Sequence, residues 1–236
     1  MADTRSTILL LPGADGTGRL FEPLQEALGS DVETVVVSYP GGDSQDYDAL
    51  RPLIEAQIPD GRFAIVAESF SGPVALSVAA RRPAGLQALI LSASYATGPR
   101  PYLTSLLARL VGLPVLPRRL PLWMIRAFLL NPDTSPALCR YVQETVASVD
   151  PAVIAARLRV AATCNVIAAL RDCPVPLYYL NATQDRLLPR SALETLAREK
   201  PDLTVVDVPG PHLLLQACPE ICARHILEML PSLQIG

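Results

Sequence analysis

Short apolar runs alternate along this chain with stretches whose apolar positions recur every three or four residues. STILLLPG (6–13) reads as a buried strand ending in a Pro-Gly turn, and RLFEPLQEALG (19–29) as a helix closed by Gly29. VETVVVSYP (32–40) is a second strand rich in β-branched residues, and DYDALRPLIEAQIP (46–59) the next helix. RFAIVAES, SGPVALSVAARRP and LQALILSAS (86–94) continue as strand, helix and strand. The strands are apolar on consecutive positions, as strands of a parallel sheet covered by helices on both faces are.

The rhythm stops after residue 97. Residues 98–172 hold no convincing strand, many prolines and several short helical patterns. The alternation resumes with VPLYYL (175–180), SALETLAREK (191–200), LTVVDVP (203–209) and PEICARHILEMLPSL (219–233). The expected organisation is an α/β core made of residues 1–97 and 173–236, interrupted by a helical insertion at 98–172. An insertion of this kind forms a lid over a site, or else a plain layer of packed helices.

Composition narrows the function class. The chain has 236 residues, of which 50% are hydrophobic and 18% charged, enough apolar material for one large core. A net charge of −3 speaks against nucleic acid as a partner. No apolar run reaches the length of a transmembrane helix, and MADTRSTILLLPG lacks the basic start of a secretory signal. Five irregularly spaced cysteines suit reduced thiols and a cytoplasmic location. Two histidines and no paired C-x-x-C argue against zinc, and no cofactor is expected.

Candidate chemistry starts at AESFSG (67–72), where Ser69 sits at a strand-to-helix junction. A serine there is a helix cap or a nucleophile. A nucleophile needs a base and a carboxylate to orient the base. His225 falls on the amphipathic last helix, whereas His212 lies in a loop after the last strand. Asp185 follows the VPLYYL strand, while Asp172 precedes it and Asp207 lies inside the next. Ser69, Asp185 and His212 thus all fall beyond strand C-termini, where loops of a parallel sheet gather into a site. LPGADGTG (11–18) lacks the lysine and spacing of a phosphate loop. Glu68, beside the serine, either tunes the histidine or faces solvent.

The order Ser, Asp, His together with the 67–72 junction resembles the α/β-hydrolase family over essentially the whole chain. The family's G-x-S-x-G elbow is altered: Ala67 and Ser71 replace the glycines, both still small, and Gly72 follows. The resemblance implies a mostly parallel sheet with an inserted helical lid, the antiparallel N-terminal strands missing. It also implies an oxyanion hole formed by the backbone N–H groups of Phe70 and Ala14. The segment 165–196 is similar to the lidded carboxylesterases that demethylate pimeloyl-acyl carrier protein methyl ester. LPGADGTGRLF and ESFSGPVALSVAARRP are similar to the plant esterase/lipase/thioesterase (phytyl ester synthase) family over the first 95 or so residues.

The insertion carries Arg100, Arg109, Arg118, Arg119, Arg126, Arg140, Arg157, Arg159 and Arg171, no lysine and four acids. Its net charge is therefore +5, leaving −8 for the rest. It is rich in leucine, and Trp123, Phe128 and, from the histidine loop, Leu213 are candidates for binding a greasy substrate. The arginines either meet an acidic acyl carrier protein, a phosphate or an anionic surface, or solvate a helical face. Cys218 and Cys222 on the last helix read as core residues. The resulting expectation is a serine hydrolase of carboxylic esters acting through an acyl-enzyme. The alternatives are a thioesterase or acyltransferase with the same residues, or a non-catalytic binding module.

Overall fold

The computed structural model describes residues 7–30, 32–42, 44–98 and 118–230. Six strands form one sheet: β1 (Thr7–Leu11), β2 (Glu33–Val36), β3 (Phe63–Glu68), β4 (Leu86–Ser92), β5 (Leu177–Ala182) and β6 (Thr204–Val208). Their order is β2-β1-β3-β4-β5-β6, and every pairing is parallel. The helices are α1 (Glu22–Leu28), α2 (Tyr47–Glu55) and α3 (Gly72–Ala79) in the first half. Between β4 and β5 come α4 (Leu122–Met124), running on as a π-helical turn (Ile125–Leu129), α5 (Pro136–Ala147), α6 (Pro151–Thr163) and α7 (Ile167–Arg171). The chain closes with α8 (Ser191–Glu199), the single turn α9 (Leu214–Ala217) and α10 (Pro219–Met229). Every strand and helix expected in the βα parts is present, β2 being shorter than its apolar run because the chain leaves the sheet edge before Pro40.

Successive residues of a strand face opposite sides, and here both sides are apolar. Leu9, Leu11, Ile65, Leu89 and Leu91 pack with α2, α3, α7 and α8 on one face, burying Leu50, Ile54, Val74 and Leu196. Ile8, Leu10, Val66 and Ile90 pack with α1 and α10 on the other, burying Leu24, Cys222 and Ile226. Fully burying such a side chain contributes about 1.5–3 kcal/mol, which is why continuous apolar runs select this architecture. A third cluster joins the segment between β4 and β5 to the rest through Leu20, Ile125, Leu130, Cys139, Val142 and Leu213. Of the residues singled out in that segment, Arg100, Arg109 and the leucine-rich stretch 102–114 lie outside the described residues.

Candidate active site

Three loops beyond the C-terminal ends of β3, β5 and β6 bring Ser69, Asp185 and His212 together. Ser69 lies 2.9 Å from His212 Nε2, and His212 Nδ1 lies 2.8 Å from Asp185 Oδ2. The other Asp185 oxygen, Oδ1, accepts the N–H groups of Leu187 (2.7 Å) and Leu188 (3.0 Å), which fixes the carboxylate. With the carboxylate accepting from Nδ1–H, Nε2 is left to accept the serine proton. Asp207, by contrast, accepts from Asn181 on the exposed sheet edge, and His225 pairs with Glu228 on α10.

The serine stands on a strained turn. β3 ends at Glu68, Ser69 has φ 48°, and α3 begins at Gly72. A non-glycine residue in this left-handed region costs on the order of 1–3 kcal/mol and lifts the side chain out of the strand. Ser69 is not a cap: the residue before the short turn is Glu68, the one before α3 is Ser71, and the Ser69 hydroxyl is turned to His212 instead. Gly72 is required by proximity, since a Cβ there would lie 1.9 Å from Ser94 Oγ. Ser94 Oγ in turn donates to Ser69 O at 2.6 Å. Ser71, where the motif has glycine, has a purpose of its own: its hydroxyl donates to Pro12 O and accepts from Tyr39 OH at 2.5 Å, fastening the loop after β1 to the elbow.

That loop carries Ala14, named from the sequence as a second donor. Ala14 and Phe70 both line the space in front of Ser69, and among the described residues no acceptor meets either N–H. Electrostatics tune the neighbourhood. Burial opposes charge on Asp185, yet the adjoining His212 and the two N–H bonds hold its carboxyl below the usual range. Burial likewise opposes the imidazolium of His212, but the Asp185 carboxylate, its hydrogen bond and the charge of Glu68 raise its pKa above the ordinary value. Glu68 is buried, which resolves its two readings against solvent. Burial first, then the charge of Asp15, pushes it up to about 7, against the pull of His212, Gln216 and the Gly13 N–H.

A cavity of about 170 Å³ opens on Ser69 and His212 and runs under the segment between β4 and β5. Its walls include Phe128, Leu129, Val146, Ile154, Leu187 and Leu213, Phe128 and Leu213 being two of the three residues named from the sequence. Trp123, the third, is 66% exposed and does not line the cavity, where Met124 and the neighbouring Ile125 stand instead. Besides His212, the charged residues at the wall are Asp15 and Arg118. Among the described residues no group of three His, Cys, Asp or Glu side chains is arranged to hold a metal ion, and the five cysteines are free thiols. Arg157, which the sequence placed only among the arginines of the insertion, is 1% exposed and reaches the loop after β1.

The sequence profile of the alpha/beta hydrolase family matches residues 8–225. Phytyl ester synthase 1 of Arabidopsis thaliana, a chloroplast protein, is 35% identical over 82 residues, 32% of this chain and 12% of that protein, so the chain spans about an eighth of the plant relative. Among solved structures, a bacterial membrane phospholipase A superposes with a TM-score of 0.80 at 22% identity, covering 100% of this chain and 81% of the other. A thermophilic esterase from Thermogutta terrifontis gives 0.78 at 21%, covering 98% and 92%. The enol-lactonase of Burkholderia xenovorans LB400 gives 0.78 at 12%, covering 97% and 92%. These three likenesses establish the fold.

Proposed function

This chain belongs to the alpha/beta hydrolase family, and on that premise we propose that it is a serine hydrolase cleaving carboxylic esters with an apolar acyl portion. The observation that carries the reading is the continuous hydrogen-bonded chain from Ser69 through His212 to Asp185 at the mouth of an apolar cavity. In the first half-reaction Ser69 Oγ attacks the ester carbonyl carbon while its proton passes to His212 Nε2. The carbonyl oxygen, now anionic, takes the N–H groups of Ala14 and Phe70, donors worth on the order of 10²–10³ in rate each. The tetrahedral adduct collapses, its C–O bond breaks, and the leaving alkoxide takes the proton from His212. Water then attacks the acyl-enzyme with His212 as base, releasing the acid and restoring the serine.

In this reading the segment between β4 and β5 is the lid over a core of residues 1–97 and 173–236. An acidic acyl carrier would meet the exposed Arg118, Arg119 and Arg140, since Arg157 is buried and Arg171 pairs with Glu199. The five free thiols accord with a cytoplasmic setting. A second reading, transfer of the acyl group to an alcohol or thiol rather than water, is favoured by the apolar walls around the serine and by the named activity of the plant relative. The test is a panel of p-nitrophenyl esters, acyl thioesters and alcohol acceptors on wild type and Ser69→Ala. Ester turnover abolished by the substitution supports hydrolysis, and product captured by the alcohol supports transfer. Turnover equal in both proteins would overturn both.

A further inference from the structure

Arg157 stands on α6, far along the chain from Ser69, and all five of its N–H groups are engaged. Nε donates to Gln45 Oε1 at 2.7 Å. One terminal nitrogen donates to the carbonyls of Ala14 (3.1 Å) and Asp15 (2.7 Å), the other to those of Tyr39 (3.5 Å) and Pro40 (3.2 Å). The guanidinium also lies over the Tyr39 ring, 5.6 Å from its centroid. Its hydrogen-bond partners are neutral, and a buried charge is no general route to stability, because apolar replacements are often neutral or better. What the charge does here must be read from what it grips.

It grips the loop that carries the Ala14 N–H. From Pro12 to Gly16 every backbone carbonyl is tied: Pro12 O to the Ser71 hydroxyl, Gly13 O to Gly16 N–H at 3.0 Å, Ala14 O and Asp15 O to Arg157, and Gly16 O to Tyr39 N–H at 2.7 Å. The bond at Gly13 O polarises the peptide whose N–H belongs to Ala14. Gly16 has φ 68°, and a Cβ there would lie 2.1 Å from a guanidinium nitrogen, so the loop is shaped around the arginine. A transition-state donor is effective only when held in place beforehand, and a misplacement of about 1 Å costs on the order of 10²-fold in rate. We propose that Arg157 is a positioning residue of the oxyanion hole, a clamp delivered by the segment between β4 and β5 that fixes the loop at residues 12–16 so that Ala14 N–H faces the reacting carbonyl oxygen. The inference rests on the nucleophile reading given above and adds a residue to it.

The test compares wild type, Arg157→Gln, Arg157→Lys and Gln45→Ala on a p-nitrophenyl ester and on an alkyl trifluoromethyl ketone. The ketone forms a hemiketal on serine whose oxyanion sits in the hole. Arg157→Gln is expected to lower kcat about 10–100-fold with KM changed less than about threefold, and ketone affinity should fall in step with kcat/KM. Arg157→Lys recovers only part of the loss, because an ammonium lacks the fork that spans two carbonyls. Gln45→Ala, which loosens the arginine without removing it, shows the same pattern more weakly and decides the matter where Arg157→Gln does not fold. A folded Arg157→Gln, or in its place Gln45→Ala, with wild-type kcat and ketone affinity overturns the clamp while leaving the nucleophile intact. A wild type that neither turns over the ester nor binds the ketone better than Ser69→Ala overturns the nucleophile and the clamp with it.

Discussion

Replacing Asp185 by Asn changes one atom in the hydrogen-bonded chain, and the surroundings dictate the consequence. Oδ1 accepts the N–H groups of Leu187 and Leu188 at 2.7 and 3.0 Å, whereas Oδ2 faces His212 Nδ1 at 2.8 Å. In Asp185→Asn those two N–H groups retain the carbonyl oxygen, so the amide NH2 takes the Oδ2 position and donates to Nδ1. The ring proton then resides on Nε2 and points at Ser69 Oγ, 2.9 Å away. That tautomer has no lone pair for the serine proton. We expect kcat to fall about 10⁴-fold near neutral pH, the size of the effect when a triad histidine is held in the wrong tautomer, which is about 5.5 kcal/mol of barrier. The loop bonds survive, so Tm should stay within a few degrees. Steady-state hydrolysis of a p-nitrophenyl ester, with a thermal melt as control, reads both. A folded variant retaining more than about a tenth of wild-type kcat would show that the Asp185 carboxylate does not set the His212 tautomer.

Further outcomes concern pH, packing and the cavity. His212 serves as base only when neutral and its pKa is raised above 6.5, so kcat/KM should climb with pH through an apparent value above 6.5 and hold on the alkaline side. Glu68→Gln removes one of the charges that raise it and should move this limb to lower pH, and an unmoved limb would show that Glu68 does not act on His212. Gly72→Ala drives a Cβ into Ser94 Oγ and should cost about 1–3 kcal/mol in a denaturant melt, with lost activity because Ser94 also holds Ser69 O; an unchanged midpoint contradicts it. A cavity of about 170 Å³ is near the size of one of about 150 Å³ that admits benzene. Acyl chains of about six to eight carbons should therefore give the highest kcat/KM in a chain-length series, and Val146→Phe should shift the optimum shorter. A flat series would contradict the cavity as the acyl site.

Much of this was legible in the sequence because parallel-sheet strands advertise themselves. Ile8 to Leu11 and Ala64 to Ala67 are apolar on consecutive positions, and both sheet faces are indeed covered. Strand ends then marked the loops, and Ser69, Asp185 and His212 were separable from Asp172, Asp207 and His225 by that placement alone. Side-chain direction on short irregular turns was not legible. Nothing in LPLWMIRAFLL tells that Trp123 faces out while Phe128 faces the cavity, for a π-helical turn at 125–129 breaks the 3.6-residue period. Arg157 left a trace that charge counting hid: it lies four residues from Val153 and four from Ala161, in the buried stripe of α6. A charged residue on an apolar stripe points to a specific polar environment inside the fold. Here that environment consists of loop carbonyls, which no local pattern encodes.

Every step proposed for this site requires Ser69 to be an activated nucleophile. A fluorophosphonate probe reacts with such a serine and leaves a phosphonylated peptide that mass spectrometry can locate. An adduct is expected on the peptide containing Ser69, absent in Ser69→Ala and strongly slowed in His212→Ala, with both variants folded. A folded wild type that takes no label, or that takes it elsewhere and equally in Ser69→Ala, would contradict it.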